Sequence, residues 1–106
     1  AEANARVIAD RLATHAGVAR VRYPGSGAML AFDTVGDGAR AERVCESTRR
    51  WVHSTSLGAV ESQIERRRRY VTEPELVPET LIRLSVGIED VEDLWRDLAQ
   101  ALDTLL

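Results

Sequence analysis

The chain of 106 residues has no lysine; all fourteen of its basic residues are arginine. A chain without a side-chain primary amine forms no imine of its own, which closes to it, acting alone, every mechanism that runs through a lysine Schiff base. Its single cysteine, Cys45, allows no internal disulfide, which fits a reducing compartment and gives the expectation of a cytoplasmic protein. No apolar run approaches the ~18–20 residues of a membrane span. Charge enters at the second residue, so the start does not read as a secretory signal. The net charge of −3 offers no general attraction to nucleic acid or anionic lipid. Aromatic residues make up only 5% of the chain, too few to form a stacking platform for bases.

What remains is ordinary for a folded domain: 44% hydrophobic and 29% charged residues, in a length that supports one modest core. Residues 4–16 place Ala5, Ile8, Leu12 and Ala16 on one helical stripe, with Gly17 as the stop. In residues 18–24, Ala19, Val21 and Tyr23 alternate with Arg20 and Arg22, a half-buried strand ended by Pro24-Gly25; a second strand at 28–35 completes a hairpin. Residues 39–53 predict a helix with the stripe Val44, Thr48, Trp51 and Val52. Val60, Ser62 and Ile64 alternate with polar neighbours as in a strand, and the two prolines of 67–80 indicate a loop. The clearest signals come last. Ile82, Leu84, Val86 and Ile88 alternate with Arg83, Ser85 and Gly87, and Asp90 then caps a helix with apolar Val91, Leu94, Trp95, Leu98, Ala101, Leu102 and Leu105. The order helix, strand, strand, helix, strand, strand, helix predicts an α+β fold. It is a two-layer sandwich with a mostly antiparallel four-stranded sheet and three helices on one face.

Several motifs invite chemistry and are better explained by structure. Gly36-Asp37-Gly38, between a strand and a helix and upstream of Glu61, resembles a dinucleotide fingerprint, yet the hairpin before it lacks the parallel unit that the fingerprint requires. A turn with a helix cap is the simpler reading. The arginines at 66–69 sit among Glu61, Glu65, Glu73 and Glu75 and read as salt-bridged surface. His15 and His53, both placed on helices, have no further ligand at metal spacing. Cys45 reads as a packed thiol. Arg83 stands apart, because strand alternation sends it to the sheet face away from the helices. There it is either a solvated arginine or an anion clamp, since a planar guanidinium grips a carboxylate through two parallel charge-assisted bonds. Ser85 and Gly87 would leave room beside it, and Ser54, Thr55 and Ser56 could add donors.

Three strings carry a family likeness: Ser56-Leu57-Gly58-Ala59-Val60-Glu61-Ser62, Leu81-Ile82-Arg83-Leu84-Ser85-Val86-Gly87-Ile88-Glu89-Asp90, and Asp93-Leu94 with Asp97-Leu98-Ala99-Gln100-Ala101-Leu102. With Asn4-Ala5 and Val21-Arg22-Tyr23-Pro24-Gly25, the chain resembles the end of the cysteine/methionine-metabolism enzymes that use pyridoxal phosphate, such as cystathionine gamma-lyase and cystathionine gamma-synthase. The resemblance implies a single C-terminal domain over 1–106, from an enzyme whose large domain lies upstream and holds the cofactor on a lysine. It implies a homotetramer, and a substrate α-carboxylate bound by Arg83 and Ser56, with Thr55 alongside. Thr55 stands where many γ-specific members have glutamate, the stretch after Pro24-Gly25 is short, and the arginine-rich 66–80 segment is similar to gamma-lyase-like members. The expectation is therefore a part of a trans-sulfuration lyase that is inactive alone, with an amino-acid substrate and its own large domain as partners, and with no nucleic acid or membrane. The competing expectation is a free-standing regulatory or protein-interaction module, and nucleic-acid binding through 66–69 ranks last. The carboxylate role requires the Arg83 head group to be available: an internal ion pair there, pointing away from the Thr55–Ser56 stretch, would sink it.

Overall fold

The computed structural model describes residues 1–53, 62–66 and 79–106. Its elements run α1 (Glu2–Leu12), β1 (Val18–Arg22), β2 (Met29–Thr34), α2 (Gly38–Ser47), β3 (Val52–His53), β4 (Gln63–Arg66), β5 (Leu81–Ser85) and α3 (Val91–Asp103). The sheet order is β1-β2-β5-β4-β3. The four longer strands pair antiparallel throughout, and the two-residue β3 adds a fifth, parallel to β4 at the edge. The architecture is thus the expected antiparallel α+β layer with one short parallel strand added. No helix among the described residues is long and apolar enough to cross a membrane.

Alternation decides which side of the sheet meets the helices. Leu30, Phe32, Ile64, Ile82 and Leu84 point into a core filled by Ala5, Ile8 and Leu12 of α1, Ala41, Val44 and Cys45 of α2, and Leu94, Leu98, Ala101 and Leu102 of α3. The opposite face carries Asp33, Gln63, Glu65 and Arg83, placed in register by the pairs Ala31↔Arg83, Glu65↔Arg83 and Gln63↔Ser85. In β1 a bulge between Val18 and Arg20 breaks the expected alternation: Val18 and Val21 pack on the core while Ala19 is exposed.

Two helices end earlier than their stripes suggested. In α1 the ladder stops at Leu12, and Ala16 is exposed. His15 therefore lies in a turn, where its Nδ1 accepts from the Gly17 N–H (2.9 Å) and its Nε2 meets Asp103 (2.9 Å). The expected continuation of α2 to residue 53 fails for a tertiary reason. The carboxylate of Asp97 on α3 accepts the backbone N–H groups of Arg49 (2.9 Å), Arg50 (2.6 Å) and Trp51 (3.2 Å). Those donors would otherwise bond back into the helix. The chain turns instead, Trp51 is buried with its indole N–H on the Leu94 carbonyl (3.0 Å), Val52 is exposed, and His53 falls in β3. The cap readings hold: Asp37 Oδ1 accepts from Arg40 N–H (3.0 Å) and Asp90 caps α3 through Glu92 and Asp93 N–H. Gly36, at φ 90°, supplies the left-handed turn before α2.

Candidate functional site

β5 is the central strand of the described sheet face, and Arg83 sits in its middle between Ala31 of β2 and Glu65 of β4. The strand pairing puts Glu65 directly opposite, and Arg83 Nη2 donates to Glu65 Oε1 in an ion pair. Glu65 is 3% exposed and the Arg83 side chain 23% exposed, so the pair is sheltered rather than solvated. The expectation of a guanidinium standing unengaged is corrected here. Glu65 read as a surface companion of the following arginines, because only the β4–β5 register reveals that it faces Arg83. Ser85 and Gly87, expected to leave space, are themselves buried. The ion pair uses one Nη2 proton out of five donors. Arg83 Nε is buried and has no hydrogen-bond partner among the described residues. A buried N–H left unmatched costs ~1–3 kcal/mol, so an acceptor arriving beside Nε would be favoured. Along the same face Arg22 Nη2 bonds Asp33 Oδ2 (3.0 Å), while Asp33 Oδ1 is buried without a partner. Thr55 and Ser56, and Glu61 of the dinucleotide reading, lie outside the described residues, as do the arginines at 67–69.

A second convergence escaped the sequence reading. Ser62, fully buried, donates its backbone N–H to Glu89 Oε2 (2.9 Å) and its hydroxyl to Glu89 Oε1 (2.8 Å), while its Oγ accepts from Gly87 N–H (2.8 Å). Asn4 Nδ2 reaches from α1 to the Gly87 and Glu89 carbonyls at 3.1 and 2.7 Å. Burial pushes the Glu89 carboxyl up, but the Ser62 backbone N–H, Glu89's own backbone N–H and the Ser62 hydroxyl together outweigh it, and its pKa is lowered from the ordinary glutamate value. Each of these residues stood within a string named above for its family likeness. Asn4, Ser62 and Glu89 carried no site role of their own, because nothing in a linear pattern joins positions 4, 62 and 89.

A groove of about 650 Å³ lies on the helical side, between the 48–51 turn and α3, lined by Arg49, Arg50, Asp93, Arg96, Asp97 and Gln100. It contains none of the expected site residues, and its one buried acid, Asp97, is committed to backbone N–H groups. Among the described residues no group of three or more His, Cys, Asp or Glu side chains is arranged to hold a metal ion.

The family model for the Cys/Met metabolism PLP-dependent enzymes matches residues 1–103. The chain belongs to that family. It is 43% identical over 113 residues to L-methionine gamma-lyase of Streptomyces avermitilis, covering 98% of this chain and 27% of the relative. It is 38% identical over 125 residues to cystathionine beta-lyase of Neurospora crassa, covering 95% and 27%. The crystal structure of metB from Corynebacterium glutamicum superposes with a TM-score of 0.90 at 33% identity, over 98% of this chain and 32% of that one. The chain therefore spans about a quarter to a third of the length of these relatives.

Proposed function

We propose that this chain is the C-terminal, substrate-carboxylate-binding domain of a PLP-dependent trans-sulfuration enzyme that eliminates from cystathionine or a related sulfur amino acid, in the manner of a cystathionine gamma-lyase. What supports this reading is the family match over residues 1–103 together with the place of Arg83 in the middle of β5 on the sheet face away from the helices. Its ion pair with Glu65 counts against a free head group, and the donor left for a carboxylate is Nε, which has no hydrogen-bond partner among the described residues. An arginine fixed on its strand by one carboxylate is pre-oriented for a second. Thr55 and Ser56 contribute donors to the same carboxylate in this reading.

The residues here suit the substrate rather than covalent attachment of the cofactor. With no lysine in the chain, the pyridoxal phosphate is held by the upstream large domain. When bound there, the cofactor supplies the electron sink for bond breaking at the β or γ carbon. This domain supplies orientation: Arg83 fixes the α-carboxylate so that the reacting bond aligns with the ring, and the sheltered sheet face excludes competing water. The cytoplasmic homotetramer expected from the resemblance belongs to the same proposal, as does inactivity of the isolated chain.

The test uses the complete enzyme with L-cystathionine and L-methionine as substrates. Arg83→Lys keeps the charge facing Glu65 and loses the planar fork, so KM rises about tenfold or more while bound cofactor is retained. Unchanged KM removes Arg83 from the site. Mixing the 106-residue chain with pyridoxal phosphate, then reducing with borohydride, leaves no attached chromophore beyond the adduct that a free N-terminal amine gives; a stable adduct at any other position refutes the division of labour.

A further inference from the structure

The two features of the site are mechanically joined. β4 is only four residues long, with β5 on one side and the two-residue β3 on the other, so strand pairing alone fixes its register weakly. A slip of one residue would turn Glu65 to the core face, and a slip of two would set neutral Gln63 opposite Arg83. At the end of this ladder Ser62 is held at three points by residues that follow β5 directly: Gly87 N–H on its Oγ, and both Glu89 oxygens on its N–H and hydroxyl. Asn4 clamps the same 87–89 turn to α1 from the other side.

We propose that Glu89, acting through Ser62, is a positioning residue for the carboxylate site, locking β4 and β5 in the one register that sets Glu65 against Arg83. The inference rests on the carboxylate-binding reading of Arg83. The geometry favours an ionised carboxylate. Both oxygens of Glu89 accept, whereas a glutamine keeps one acceptor for the Ser62 N–H and turns its amide donor to Ser62 Oγ, so that the hydroxyl hydrogen loses its acceptor. The lowered pKa of Glu89, to which the two Ser62 donors and its own backbone N–H contribute against the pull of burial, agrees with that preference. Each polar group of Ser62 is engaged: its hydroxyl hydrogen goes to Glu89, its Oγ accepts from Gly87, and its carbonyl accepts from Val52 N–H (2.9 Å).

In the complete holoenzyme, with L-cystathionine as the probe, Glu89→Gln raises KM about fivefold or more and changes kcat less than about twofold, with cofactor content unaltered. Ser62→Ala deletes only the hydroxyl and gives a smaller rise in the same direction. The decisive readout is coupling. In an Arg83→Lys background Glu89→Gln adds little to KM, because the group that it positions is already impaired. A merely structural Glu89 would lower Tm and leave KM alone, or add its full effect in the double variant, and either result overturns the proposal. If Arg83→Lys itself leaves KM unchanged, the carboxylate reading falls instead, and the two failures are told apart by that single variant.

Discussion

Asp97→Ala is the perturbation whose size can be worked most directly from the structure. The carboxylate is 7% exposed and gathers the N–H groups of Arg49, Arg50 and Trp51, with Gln100 Nε2 at 3.3 Å. A hydrogen bond to a charged group contributes ~1.5–3 kcal/mol, but three donors sharing one carboxylate do not add fully, and burying the acid has its own cost. After truncation Arg49 and Arg50, both exposed, regain water at their N–H groups. Trp51, at 2% exposure, does not. That dry donor alone costs ~1–3 kcal/mol. The expected loss is about 2–4 kcal/mol, which for a domain of this size lowers Tm by roughly 10–20 °C. Asp97→Asn keeps one acceptor and loses about half as much. Thermal unfolding followed by far-UV circular dichroism measures both. The alanine variant should also gain helical signal, since the N–H groups of 49–51 are released to continue α2. A fall in Tm below about 3 °C, or no gain in helicity, would refute the argument that this carboxylate terminates the helix.

Two further outcomes follow from the packing and the electrostatics. Among the described residues Phe32 is the largest fully buried side chain, and Phe32→Ala should cost ~3–5 kcal/mol, enough to unfold much of the chain at 37 °C; a urea midpoint close to that of the parent would contradict the core assignment. Glu89 has a folded pKa below its unfolded value, so the unfolded state binds more protons in between, and the associated stability is present above the unfolded pKa and lost as pH falls through the folded one. Glu89→Gln should therefore flatten the acid limb of the stability–pH curve, and an unchanged slope in denaturation midpoints from pH 6 down to pH 3 would count against it.

The alternating β5, the Asp90 cap and the broad apolar face of α3 were legible because each rests on period and on groups within one turn of the chain. Asp37 capping α2 was legible for the same reason. The end of α2 was not: the stripe through Val44 and Trp51 continues past Ser47, and what stops the helix is an acid about fifty residues away. The bulge that turns Ala19 outward, the short parallel β3 and the turn around His15 likewise depend on contacts absent from local pattern.

For the site, the sequence determined which residue types stand on which face of β5, and that the chain carries no side-chain amine for imine chemistry, because side-chain alternation and composition are properties of the chain itself. Only the tertiary structure decided that Arg83 is engaged by Glu65 and that Glu89 grips Ser62. Both are cross-strand or loop-to-strand meetings, set by a register that hydrogen bonding among distant segments selects and that no stretch of sequence encodes alone.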